Sequence, residues 1–155
     1  MREHPDSEFL FRRHQRLAAE RDLESGVPDP IRVLLAEPNR MVAEALMIAI
    51  DIGPSVEPIG YALDGWSALE LVESLDPDVI VVGPRLTGLD SVTLARLLDE
   101  HWPRIRVVML IDPTRHRPAP EGSYGLPLDC STDELIDAIG TVSVRRAPTL
   151  AAADA

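Results

Sequence analysis

The sequence contains no lysine, so all 15 of its basic residues are arginine, and they stand against 26 acidic ones for a formal net charge of -11. A chain of that sign repels a phosphate backbone. Nucleic-acid binding needs a clustered basic face, and the densest basic stretch runs only from Phe11 to Arg21. There Arg12, Arg13, Arg16 and Arg21 share the segment with Glu20 and Asp22, the pattern of a solvated helix face. No direct nucleic-acid contact is therefore expected. Cysteine is reduced to Cys130 alone, which excludes an internal disulfide and any zinc site built from several thiolates. A buried packing role is expected of it. Aromatics make up 4% of the chain. No apolar run approaches the roughly 20 residues that span a bilayer, and the opening MREHPDSEF has no signal-peptide core. A cytoplasmic protein without a membrane partner is expected.

What is present is 155 residues, 45% of them hydrophobic, enough for one domain with short extensions. Residues 1–29 form an N-terminal extension, helical over Asp6 to Leu23 or disordered, that ends in the linker-like GVPDP. Residues 30–143 form the globular domain. Residues 144–155, with Pro148 and small side chains, read as a disordered tail.

Within the domain three runs are apolar on both faces and read as buried parallel strands: Val33 to Ala36, Val79 to Val82 and Val107 to Ile111. Two weaker strands, Val56 to Ala62 and Tyr124 to Leu128, contain Pro58 and Pro127, which cannot donate to a central ladder and so belong at edges. Helical spacing puts Val42, Ala45, Leu46 and Ala49 on one stripe. Ala68, Leu71, Val72 and Leu75 form a second stripe, and Leu94, Leu97, Leu98 and His101 a third. A last helix starts at Ser131, where Ser131 and Glu134 have capping-box spacing, and ends near Gly140. The expected architecture is α/β, a doubly wound five-stranded parallel sheet in the order 2-1-3-4-5. Pro113, Pro118 and Pro120 interrupt the segment between the fourth and fifth strands, so the fourth crossover helix of such a fold is expected to be degenerate or replaced by a loop.

Function in this architecture gathers at the carboxyl ends of the strands. Across roughly residues 31 to 140 the chain resembles the response-regulator receiver family, a CheY-like branch of the flavodoxin-like folds used in two-component signalling. The carriers are IRVLLAEPNRMVAEAL, ALDGWSALELVESLDPDVIVVGPRLTGLDS, IRVVMLI and DCSTDELIDAI. The resemblance implies a carboxylate nucleophile after the third strand, an acidic pair after the first that holds Mg²⁺, a Thr or Ser after the fourth and a Lys after the fifth. On this sequence those places fall at Gly83, at Glu37 and Pro38, at Ile111, and at or beside Leu128. The phosphorylation site is thus degenerate, with Glu37 the one weak candidate for a metal contact. The expectation is a pseudo-receiver without its phosphoacceptor: no enzyme, no cofactor, no bound metal.

Two functions remain open. One is phosphorylation-independent regulation by protein contact, with a signalling or transcription component or as a homodimer, through the first helix, the N-terminal segment or the family's usual output face. The other is small-molecule sensing at the strand ends, with Glu37, Asp64, Pro84, Asp112 and Asp129 on the pocket rim. Asp64 also reads as the N-cap of the second helix. The four histidines are scattered, and Trp66 and Trp102 sit at helix ends in packing positions.

Overall fold

In the computed structural model the described residues are 29–115 and 118–154, with side-chain surroundings through Ser143. The strands are β1 (Ile31–Ala36), β2 (Val56–Ala62), β3 (Val79–Val82), β4 (Arg106–Ile111) and β5 (Ser123–Pro127). The helices are α1 (Arg40–Asp51), α2 (Gly65–Leu75), α3 (Ser91–His101) and α4 (Thr132–Asp154). All pairings are parallel and the order is β2-β1-β3-β4-β5. The expected topology is thus present, with both proline-bearing strands at the edges. Pro58 has a local consequence: Val33 pairs with Pro58 and Leu34 with Gly60, so Ile59 is an extra residue at a bulge beside the missing donor.

The central strands separate two apolar layers. Val33, Leu35, Val79, Val81, Val108 and Leu110 face one cluster, completed by Ala43, Met47 and Ile50 of α1 and Leu135, Ala138 and Ile139 of α4. Leu34, Ile80, Val82, Val107 and Met109 face the other, under α2 and α3. Strict alternation along each strand feeds both layers, which is why these runs are apolar throughout.

Caps fix where the helices begin. The Asn39 side chain accepts from the N–H groups of Met41 and Val42, Asp64 from Ser67, and Asp90 from Thr93. Ser131 and Glu134 satisfy each other's N–H groups as a capping box. Between β4 and β5 the described residues form turns and no helix. The fourth helix of the chain is α4, after β5.

Three expectations need correction. The buried stripe of α1 is Ala43, Met47 and Ile50, whereas Val42 and Ala45 are exposed. Apolar residues lie on both the inner and the outer face of this helix, so spacing could not tell one from the other. In α3 the core takes Leu94, Ala95 and Leu98, and His101 is exposed. The last helix continues past Gly140, which has ordinary helical backbone instead of a left-handed cap. The expected helix over Asp6 to Leu23 lies outside the described residues.

The placement of α1 is testable by paired truncation. Ile50→Ala is expected to lower the unfolding free energy by about 2–5 kcal/mol, and Ile48→Ala, on the opposite face, by no more than about 0.5 kcal/mol. Urea melts followed by circular dichroism measure both.

Candidate functional site

β1, β3, β4 and β5 end together, and the residues that leave them converge. Glu37 follows β1 and is 6% exposed. Its N–H donates to the Ala62 carbonyl at the end of β2, and its Oε2 accepts from the Asn39 N–H at 2.6 Å. That short charge-assisted bond turns the side chain inward across the end of the sheet. Gly83 follows β3, and its N–H donates to the Ala36 carbonyl at 2.8 Å. A Cβ on Gly83 would lie 2.5 Å from Glu37 Oε1. The Glu37 carboxylate therefore occupies the space in which any side chain at position 83 would begin. The Gly83 carbonyl accepts from the buried Ser91 hydroxyl, which also meets the Leu86 N–H and so fixes the turn into α3.

The other strand ends are built differently. Ile111 is half-buried, and its Cδ1 fills the space beside Gly125 on β5, within the layer packed under α2 and α3. Leu128 is exposed, and its N–H donates to the Ile111 carbonyl at 2.8 Å. The apolar character expected at this end is therefore carried by Ile111. Asp112 is 7% exposed and accepts at Oδ1 from the Thr114 N–H and hydroxyl, and at Oδ2 from Arg85 Nη2 at 3.1 Å. The Thr114 hydrogen bonds, and after them the Arg85 guanidinium, hold its carboxyl below the usual carboxylate range.

Three of the rim carboxylates are thus engaged locally. Asp64 caps α2 through the N–H and hydroxyl of Ser67, Asp112 serves its own loop and Arg85, and Glu37 lies over Gly83. Asp129 is exposed, and Pro84 is half-buried beside Gly83. Asp129 lies near Cys130, whose half-buried thiol is pushed up by burial and by the negative charges of Glu134 and Asp129. Among the described residues no three His, Cys, Asp or Glu side chains converge as a metal site. A shallow recess among them lies at the opposite end of the sheet, lined by Arg106, Val107, Gly122, Ser123, Tyr124 and Val142.

Two features lay beyond the reach of sequence reasoning. The Arg85–Asp112 ion pair ties the loop after β3 to the loop after β4, but nothing in spacing singles out Arg85. The other is the outer face of α1, where Met41 is 81% exposed, Ile48 68% and Ile52 73%, with Ala45 exposed between them. Its spacing of i, i+4, i+7, i+11 is as regular as that of the inner face. Trp66 is more than half exposed and rests against Gly88, whose positive φ forms the turn before α3.

No family model matches the chain. Curated relatives do. The transcriptional regulatory protein LiaR of Bacillus subtilis is 30% identical over 118 residues, 73% of this chain and 56% of that protein. A protein-glutamate methylesterase/protein-glutamine glutaminase of Myxococcus xanthus is 33% identical over 84 residues, 54% of this chain and 24% of that protein. The chain spans between about a quarter and a little over half of the length of such relatives. Among solved structures, the signal receiver domain of the response regulator NarL from Mycobacterium tuberculosis superposes with a TM-score of 0.67 at 25% identity. That match covers 75% of this chain and 98% of that domain. Homologues and structures together support a response-regulator receiver domain of the CheY-like family, the receiving module of two-component signalling. Among the described residues no helix is long and apolar enough to cross a membrane.

The contact between Glu37 and position 83 yields a coupling measurement. Gly83→Ala is expected to destabilise the domain by about 1–3 kcal/mol, because the new methyl group meets the carboxylate. In a Glu37→Ala background the same change should cost less by about 0.5–3 kcal/mol, since the two sites touch. A double-mutant cycle by chemical denaturation measures it.

Proposed function

We propose that this chain is a phosphorylation-independent pseudo-receiver that regulates by protein contact, with transcriptional control the process to which its relatives' names point. The observation that carries the proposal is the Glu37 carboxylate lying where a side chain on residue 83 would start. Glycine offers no oxygen to carry a phosphoryl group, and a phosphoryl group placed there would meet a buried anion at contact distance. Ile111 offers no hydroxyl, and Leu128 no ammonium group to pair with phosphoryl oxygens. Restoring one residue leaves the others missing.

The contact surface favoured by the structure is the outer face of α1. Met41, Ala45, Ile48 and Ile52 form an unbroken apolar stripe along a helix about 18 Å long. Arg40, Glu44 and Asp51 flank it on one side, with Val42 and Ala49 on the other. A stripe of this length and spacing suits one amphipathic helix of a partner laid along it. Such a contact needs no change at the strand ends, so it operates without a phosphorylation switch. A homodimer through the same face is the other form of protein contact.

Incubation with acetyl phosphate and Mg²⁺, followed by intact-mass measurement, tests the reading. No phosphoryl adduct is expected on the wild-type chain or on Gly83→Asp. A stoichiometric, hydroxylamine-sensitive adduct on the wild-type chain would end the proposal.

A further inference from the structure

At the end of the sheet opposite Glu37 and Gly83, one arginine is left with an unsatisfied donor. Arg106 opens β4, and its N–H donates to the Asp78 carbonyl at 3.0 Å, which fixes the backbone there. Alternation along the strand puts its side chain on the face of Val108 and Leu110, toward α4. Its Nε is buried and has no hydrogen-bond partner among the described residues. Nearby arginines are engaged: Arg32 Nη1 donates to the Asp76 carbonyl at 2.8 Å, and Arg104 pairs with the Asp76 carboxylate at 3.8 Å. A buried N–H of a charged group is costly without an acceptor. The chain has 26 acidic side chains that could have supplied one.

Arg106 borders the recess at this end of the sheet, which has a volume of about 150 Å³. A space of that size takes a molecule of about six non-hydrogen atoms. Ser123 and Tyr124 of β5 line it, and so does Val142 of α4, which belongs to the apolar layer.

We propose that the recess binds a small organic monocarboxylate, its oxygens held by the Arg106 guanidinium and its short carbon chain against Val142. Three observations select this ligand. The Nε–H and the adjacent Nη–H of a guanidinium form a fork that matches the two oxygens of a carboxylate, so the unused donor specifies the head group. The volume and the apolar wall limit the remainder to a few carbons. The third is the charge alongside. A Cβ on Gly122, another lining residue, would lie 2.9 Å from Asp99 Oδ1. A carboxylate that close disfavours a dianion such as phosphate over a singly charged ligand. Bound there, the ligand joins β4, β5 and α4 and touches none of the residues around Gly83.

An NMR titration of the isotope-labelled full chain with sodium propionate at constant ionic strength tests this. The Arg106 Nε–H resonance and the amides of Val107 and Ser123 are expected to shift and to saturate in the millimolar range, with those of Glu37 and Gly83 unmoved. Propionamide, the neutral isostere, is expected to leave all of them in place, and inorganic phosphate to bind more weakly than propionate. Arg106→Gln is expected to weaken propionate binding by about tenfold or more. Circular dichroism checks that this variant folds, and Arg106→Lys, which keeps the charge without the fork, replaces it if it does not. A stationary Nε–H resonance in the wild type would overturn the proposal. So would an equal response to propionamide, phosphate binding as tight as propionate, or undiminished propionate binding in a folded variant.

Discussion

Glu37 comes off β1 with its carboxylate turned back over the sheet by the N–H of Asn39, and Gly83 is the residue that gives it room. Much of the carboxyl end of the sheet follows from that one placement. A side chain at 83 and the present Glu37 rotamer exclude each other, so glycine is required as long as the carboxylate lies there. With a fixed anion in the centre, the remaining acids turn to local work: Asp64 caps α2, and Asp112 is tied down by Thr114 and Arg85. The space beside Gly83 at the ends of β1 and β3 is thereby occupied by the Glu37 carboxylate.

Charge and hydrophobicity are distributed to match. The interior is apolar in two layers, and the buried polar residues among those described lie after strand ends (Glu37, Asp112), at the start of α3 (Ser91) or on the outer strand (Glu57). The apolar groups left outside concentrate on α1, where one helix shows a hydrophobic stripe to the core and another to solvent. A helix that is apolar on two faces gains stability from one of them only. The other is exposed, on a helix whose N-cap Asn39 itself donates to the Glu37 carboxylate.

The parts of this structure that could be read from residues were those set by strong local rules. Three doubly apolar runs had to be central parallel strands, Pro58 and Pro127 had to be at edges, and the sheet order followed. Asp64 and the Ser131–Glu134 pair announced helix starts by spacing alone. The inner face of α1 could not be read, because Val42, Ala45 and Ala49 are as apolar as Ala43, Met47 and Ile50 and only tertiary packing chooses between them. The sequence reading of the candidate site was an expectation of missing groups at Gly83, Pro38, Ile111 and Leu128. What replaced them was not, since the Glu37 rotamer depends on contacts between residues 46 positions apart in the chain.

The central claim is that the strand ends already hold their anion and have no place for another. An NMR titration of the full chain with Mg²⁺ and beryllofluoride, a mimic of a bound phosphoryl group, tests it most directly. The account predicts that the amide resonances of Glu37, Asn39 and Gly83 stay where they are across the titration. Saturable shifts of those three resonances would contradict it.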